Sequence, residues 1–354
     1  MSDAQRKVSN LITRVMKPDD DAIETAAAYI RKGQLVGIPT ETVYGLGADA
    51  LNPDAVRAIF EAKGRPGDNP LIVHIARIEE IAGLIEGTPS LAAQKLMQAF
   101  WPGPLTLIFP RGQRVPLRTT GGLETVAVRM PAHPVARQLI ERSQRPIAAP
   151  SGNRSGRPSP TTAAHMLEDM DGRIPLILDG GPCEVGVEST VVDMTGPVPR
   201  ILRPGGVTRE QIAAVCGACE VDSAVMRPLR EDEKPRSPGM KYRHYAPAGT
   251  LTLYRGKRER VASAICAAYD AARAAGKRPL ILALEGNRSL YGDRNCESLG
   301  ADARAMARAV FSALRDADEQ RADVIFSESV EAEGIGLAVM NRLGRAAAFH
   351  IEEV

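Results

Sequence analysis

Long apolar runs are missing from this 354-residue chain. No stretch reaches the roughly 20 residues that span a bilayer, and the polar, charged start from Met1 to Asp21 has no apolar stretch of the signal-peptide kind. A cytoplasmic protein without membrane contact is the expectation. Cysteine is sparse and odd in number. Cys183, Cys216, Cys219, Cys266 and Cys296 are scattered, which argues against a disulfide framework. Cys216-x-x-Cys219 lacks a second Cys or His pair at zinc-site spacing, so two ordinary thiols in a helix are expected. A strong charge of either sign is also missing. The formal net charge is +2, so nothing global favours a nucleic-acid or membrane partner, and any anion site must be local.

The common chemical templates are absent too. There is no phosphate-binding G-x-x-x-x-G-K-[ST], no G-x-G-x-x-G after a strand, no H-E-x-x-H and no G-x-S-x-G. What the chain has is ordinary globular material. Hydrophobic residues make up 44% and charged residues 25%, over a length that suggests two domains.

The first part reads as mixed strands and helices. Asp21-x-x-Glu24 suggests a capping box before an Ala-rich helix that ends at Gly33. Leu35–Ile38 reads as a buried strand stopped by Pro39. Asn52, Pro53 and Gly64 mark the start and exit of the next helix. Further strands are expected at 71–75, 105–109, 125–129, 147–149, 176–178 and 189–193. From Asp222 to Thr250 the chain turns Pro-rich and charged and loses apolar periodicity, as a linker does. Beyond it, strands at 251–254, 280–284 and 324–326 alternate with helical patterns, which implies parallel βαβ units. Met306, Val310 and Leu314 form one apolar stripe.

Polar residues gather at the ends of these strands and helices. Pro39-Thr40-Glu41-Thr42-Val43-Tyr44-Gly45-Leu46-Gly47 leaves a strand and offers hydroxyls and close backbone approach, although a self-capped turn is the simpler reading. Lys63 closes a helix and Arg65 follows its glycine, so two cations flank a Gly- and Pro-rich loop suited to phosphate oxygens. They also suit the helix dipole. His74 belongs on the sheet face of Ile72, where a lone histidine is more often structural. Arg129 shares a strand face with Thr125 and needs an anion, from a structural or a substrate carboxylate. Ser151-Gly152-Asn153 forms a turn able to cradle phosphate or ribose.

In combination these segments resemble the threonylcarbamoyl-AMP synthase family in its long, two-domain form. The signature K-x-R and S-x-N pairs correspond to Lys63-x-Arg65 and Ser151-x-Asn153. PTETVYGLG, DNPLIVH, WPGPLTL, VAVRMPAHP, GVEST and LRPG resemble family stretches. So do the linker-like Ser237–Pro247 and the run from Gly334 to Arg342. Gly152 departs from the alanine usual between the Ser and the Asn.

The resemblance implies a YrdC-like twisted mixed-sheet α/β catalytic domain (18–213) after an N-terminal tail (1–17). A linker or lid (214–249) and a small Rossmann-like parallel α/β C-terminal domain (250–354) complete the expected chain. It implies condensation of L-threonine, bicarbonate and ATP to threonylcarbamoyl-AMP and pyrophosphate. Partner proteins then transfer the group to the tRNA adenosine beside the anticodon, and the synthase itself would touch tRNA weakly at most. Lys63 and Arg65 would be catalytic, neutralising phosphate charge from an exposed loop, so that removing either leaves the fold intact. ATP would be held by Lys63, Arg65, Asn69, Thr125, Ser151, Asn153, Ser159 and Arg203, with Tyr242 and His244 closing over it. L-threonine would be held by Thr40, Thr42, His74, Arg129, the Ala149 backbone and Ser189. Mg2+ would arrive on the nucleotide, with no metal ligand from protein side chains. The rival reading is a binding module for double-stranded RNA or tRNA, with Lys63, Arg65, Arg129, Lys241 and Arg243 on backbone phosphates. A carbamoyltransferase acting on another protein's cofactor is a third, which expects extra upstream segments.

Overall fold

The structure, a computed structural model, describes residues 11–227 and 245–354. They belong to two compact units. One comprises the described part of Met1–Ser155 with Pro160–Cys183, the other Gly156–Ser159 with the described part of Glu184–Val354. The division falls at Cys183–Glu184, inside the stretch expected as one catalytic domain.

In the first unit the elements are β1 (Arg14–Met16), α1 (Asp20–Arg31), β2 (Val36–Ile38), β3 (Gly45–Asp49), α2 (Pro53–Lys63), β4 (Ile72–His74), α3 (Leu91–Phe100), β5 (Leu105–Pro110), β6 (Thr125–Arg129), α4 (Pro134–Ser143), β7 (Ile147–Ala148), α5 (Ala163–Met170) and β8 (Leu176–Leu178). The strands lie in the order β1-β8-β2-β3-β7-β4-β6-β5, with parallel and antiparallel neighbours mixed. α1 and α4 cover an apolar cluster that includes Ile30, Val36, Ile38, Leu139, Ile147 and Leu178.

Local chemistry accounts for the helix ends. α2 starts where the Asn52 side chain accepts from the amides of Asp54 and Ala55, and stops at Gly64 in the left-handed region (φ 63°). α1 does not use Asp21 as its cap. Asp19, extended at φ −74° and ψ 175°, accepts from Ala22 N instead, which leaves Asp20 and Asp21 in the first turn, where the dipole favours them. Two strands of this unit escaped the sequence reading. β1 lies inside the stretch expected as a tail and pairs with β8. β3 lies in the glycine-rich PTETVYGLG segment. Its glycines let it press between neighbours, since a Cβ at Gly45 would stand 3.2 Å from the Ala149 Cβ and 3.3 Å from Ile38 Cγ1.

The second unit holds β9 (Thr190–Asp193), β10 (Arg200–Arg203), α6 (Arg209–Cys216), β11 (Glu220–Val221), β12 (Thr250–Arg255), α7 (Arg258–Ala274), β13 (Pro279–Ala283), β14 (Cys296–Ser298), α8 (Ala303–Glu319), β15 (Val324–Glu328), α9 (Gly336–Ala346) and β16 (Ile351–Glu353). α6 and β11 thus place regular structure in the stretch expected as linker. β14-β13-β15-β12-β16 is parallel throughout, as alternating strands and helices require. Met306, Val310 and Leu314 are fully buried on α8. Cys216 ends α6, and Gly217 turns the chain at φ 82°, so Cys219 is not helical as expected. No helix among the described residues is long and apolar enough to cross a membrane.

Candidate active site

Two polar clusters form in the first unit at the ends of central strands. The first is built on Arg129, the last residue of β6. β4 and β6 pair in parallel with His74 beside Arg129. Arg129 is buried, and its guanidinium donates to Thr42 Oγ1 at 2.9 Å, to Glu41 Oε1 at 2.5 Å and to the Gly103 carbonyl at 3.3 Å. A structural carboxylate therefore supplies the anion that this strand arginine needs. Burial works to raise the Glu41 pKa, but the Arg129 charge and hydrogen bond hold it below the ordinary value. Hydrogen-bond direction through the cluster follows from its ends. Arg129 can only donate and the Val43 carbonyl can only accept. Thr42 Oγ1 therefore accepts from Arg129 and donates to Thr40 Oγ1 over 2.8 Å, and Thr40 donates to Val43 O at 2.6 Å. Thr40 also caps the Thr42 and Val43 amides, the self-capped turn that its sequence suggests.

His74 joins this cluster through Ile72, whose carbonyl receives both His74 Nδ1 at 3.1 Å and Ala149 N at 3.0 Å. Burial, then the Arg129 charge, pushes the His74 pKa down from 6.5 to about 3, so the imidazole is neutral at physiological pH. The sign of the linkage follows. The unfolded chain takes up this proton below about pH 6.5 while the folded one refuses it, so stability is full above that pH and drains away toward pH 3. His74→Asn should flatten urea-unfolding stability, by about 1.5 kcal/mol between about pH 6.5 and about pH 5 relative to wild type. Identical pH slopes would show that the histidine is not held neutral.

The second cluster lies two residues beyond Ala149. Lys63 is the last residue of α2 and is not on an exposed loop as expected. It is 3% exposed, and its ammonium donates to the carbonyls of Ser151 at 2.5 Å and Asn153 at 2.6 Å. Ser151 Oγ donates to Asn153 Oδ1 at 2.6 Å, and Asn153 Nδ2 to Arg154 O. Gly152 N binds Tyr44 O, Leu46 N binds Pro150 O, and Gly45 forms a bridge with Ser151, which clips this turn to the Thr40–Gly47 segment. The missing methyl at Gly152 has a local reason. A Cβ there would meet Met166 Cε at 2.7 Å, so the methionine fills the space. Arg65 is half-buried just past the α2 cap, and Thr125 is half-buried at the start of β6. Asn69 is fully buried with both amide atoms unpaired. Each buried unmet polar atom costs about 1–3 kcal/mol, so this amide is suited to an incoming donor and acceptor.

Ser159, Ser189 and Arg203 fall in the second unit. There Arg203 donates to Ser189, from Nε to the carbonyl at 3.2 Å and from a terminal nitrogen to Oγ at 3.2 Å. Tyr242 and His244 lie outside the described residues.

Known proteins match this chain over nearly its whole length. A family model described as "Telomere recombination" matches residues 28–205, and one described as "Threonylcarbamoyl-AMP synthase, C-terminal domain" matches 207–348. The threonylcarbamoyl-AMP synthase of Pyrococcus abyssi is 49% identical over 94% of this chain and 96% of its own. That of Bacillus subtilis is 48% identical over 95% and 96%. The chain belongs to the threonylcarbamoyl-AMP synthase family. The crystal structure of P. abyssi Sua5 complexed with L-threonine matches it with a TM-score of 0.91 at 47% identity, covering 97% of this chain and 99% of that one.

Three residues of this family member escaped the sequence reading. Glu41 was passed over as part of a polar turn, although a carboxylate between two threonines at the end of a buried strand was a usable signal. Glu188 and Arg342 sit within family-like runs without being singled out. Each is a charge inside an apolar stretch, which calls for a partner.

Proposed function

We propose that this chain condenses L-threonine, bicarbonate and ATP to threonylcarbamoyl-AMP and pyrophosphate. The observation that carries the reading is a pair of buried cations at the end of one sheet. Arg129 stands with hydroxyl and imidazole groups, Lys63 clasps the Ser151–Asn153 turn, and Ala149 and Ser151 lie two residues apart between them. The first cluster suits an amino-acid carboxylate and hydroxyl, the second a polyphosphate. The amino acid supplies its own nucleophile. Its amine takes up CO2 derived from bicarbonate, the carbamate oxygen attacks the α-phosphorus, and the bond to pyrophosphate breaks. Protein side chains then need only position and neutralise.

In this scheme Lys63 and Arg65 carry phosphate charge, while Asn69, Thr125, Ser151 and Asn153 hold the nucleotide. Thr42, His74, Arg129 and the Ala149 backbone hold threonine, with the N–H groups that Arg129 has left toward the carboxylate. Thr40 orients Thr42. Ser159 and Arg203 on the nucleotide, Ser189 on threonine, and Tyr242 and His244 as a cover keep the roles that the family resemblance implies. Among the described residues no group of three His, Cys, Asp or Glu side chains is arranged to hold a metal ion. Mg2+ fits this chain as a counter-ion brought by the triphosphate. The product would go to proteins that transfer the threonylcarbamoyl group to tRNA, in the cytoplasm. Direct RNA binding is disfavoured, because Lys63 and Arg129 are each only 3% exposed and cannot reach a duplex backbone.

Pyrophosphate release is expected with all three substrates and absent when threonine or bicarbonate is omitted. ATP turnover indifferent to threonine would refute the reading. Serine should turn over better than valine. Losing a methyl costs about 1 kcal/mol, whereas losing the hydroxyl strands its buried partners. Valine ahead of serine would remove the hydroxyl contact from the scheme.

A further inference from the structure

The run from Gly334 to Arg342 has no part in the scheme above, yet its last residues are among the most deeply buried polar groups of the second unit. α9 carries Asn341, Arg342 and Arg345, all buried, and Arg342 is fully so. Arg342 Nε donates to Glu188 Oε2 at 2.6 Å, and a terminal nitrogen donates to the Pro204 carbonyl at 2.9 Å. The other Glu188 oxygen, Oε1, accepts from Ser159 Oγ at 2.6 Å. Pro204 follows Arg203, and Glu188 precedes Ser189, which Arg203 binds. Tyr245 packs on the same group, with the Arg342 guanidinium 5.6 Å from its ring centre and Phe311 on its other contact at 5.1 Å. Asn341 donates to Val225 O, and Arg345 to Ala224 O.

A buried carboxylate at this place has to be explained. Burial pushes the Glu188 pKa up, yet the charges of Arg342 and Arg203 and the Ser159 hydrogen bond bring it down to about 2. It is therefore an anion that accepts at both oxygens. Its acceptance fixes the direction of the Ser159 hydroxyl, because a carboxylate cannot donate.

We infer that Arg342 of the C-terminal α/β region is a positioning residue for the nucleotide half of the reaction. Through Glu188 it holds the hydroxyl of Ser159 in one orientation, and through Pro204 it holds the backbone that carries Arg203. The C-terminal region then forms part of the synthase machinery in the same chain, and the Asn341-Arg342 pair of its signature run is the point of attachment. The inference rests on the nucleotide role proposed above for Ser159 and Arg203.

The test is steady-state pyrophosphate release by the full chain, with thermal unfolding measured on each variant. Arg342→Lys keeps a positive charge but loses the fork that spans Glu188 and Pro204. It should raise the KM for ATP about ten-fold, the worth of one good hydrogen bond, with the KM for threonine little changed. Ser159→Ala should do the same, and the two together should raise it hardly further than either alone, because they break one chain of contacts. A single neutral replacement strands a buried charge and can unfold the protein, so the paired Glu188→Leu/Arg342→Met variant is made as well. It removes both charges together and can keep stability. That variant, folded, should still show the raised KM for ATP. A normal KM for ATP in the folded paired variant, additive effects in the Ser159→Ala combination, or loss of folding in both Arg342→Lys and the paired variant would each overturn the inference and leave the ion pair purely structural. Failure of the underlying reading looks different. Wild type would release no pyrophosphate, or Ser159→Ala would leave the KM for ATP unchanged.

Discussion

Lys63→Ala is expected to lower threonine-dependent pyrophosphate release by about one hundred-fold or more, the usual cost of losing a charge-assisted contact to phosphate in a dry site. It should also cost stability, which an exposed-loop lysine would not. The ammonium holds the Ser151 and Asn153 carbonyls together, and truncation leaves both without that donor and opens the turn. Arg65→Ala, by contrast, should impair turnover on a similar scale with little change in melting temperature, since Arg65 is only half-buried just past a helix cap. The pair of measurements separates the two roles. Turnover by Lys63→Ala within about ten-fold of wild type would remove Lys63 from the phosphate site, and an unchanged melting temperature would remove it from the turn.

Arg129→Ala should produce a large loss of stability. It strands the Glu41 carboxylate, which is 6% exposed, and removes the donor that orients Thr42. Breaking one side of a buried pair costs about 3–5 kcal/mol. A Glu41→Gln/Arg129→Met variant removes both charges and should recover much of that stability. Threonine saturation should not return with it, because no guanidinium remains for the carboxylate. Urea unfolding and the KM for threonine, measured on both variants, check the two halves. Recovery of a normal KM for threonine in the paired variant would exclude Arg129 from the amino-acid site.

Both expectations depend on contacts whose partners are distant in sequence. Lys63 and Arg129 were each legible as candidate anion binders from the residues around them. Their present partners were not. Glu41 is 88 positions from Arg129, and Ser151 is 88 positions from Lys63. No local pattern reports which of many carboxylates or carbonyls a side chain will meet. The same limit applied to the fold. Strands with clear apolar runs, such as Thr125–Arg129 and Leu176–Leu178, were legible with their bounds. β1, β3, β11, β14 and β16 were not, because two or three residues, or a glycine-rich stretch, become a strand only when a neighbour supplies the hydrogen bonds.

By itself the sequence determined what local chemistry controls. It set the cap of α2 at Asn52, the stop at Gly64, the buried stripe of α8 and the parallel βαβ pattern of the C-terminal sheet. The ordered set of short motifs also made the family readable. Only the tertiary structure decided which charges are neutralised and which polar groups stay available. Arg129 is satisfied by Glu41, Lys63 is buried against a turn, Asn69 keeps both amide atoms unpaired, and Arg342 reaches Glu188. The reason is physical. Caps and periodicity act over a few residues along the chain, whereas the cost of a buried charge or an unmet hydrogen bond is fixed by whatever folding brings to within about 3 Å of it.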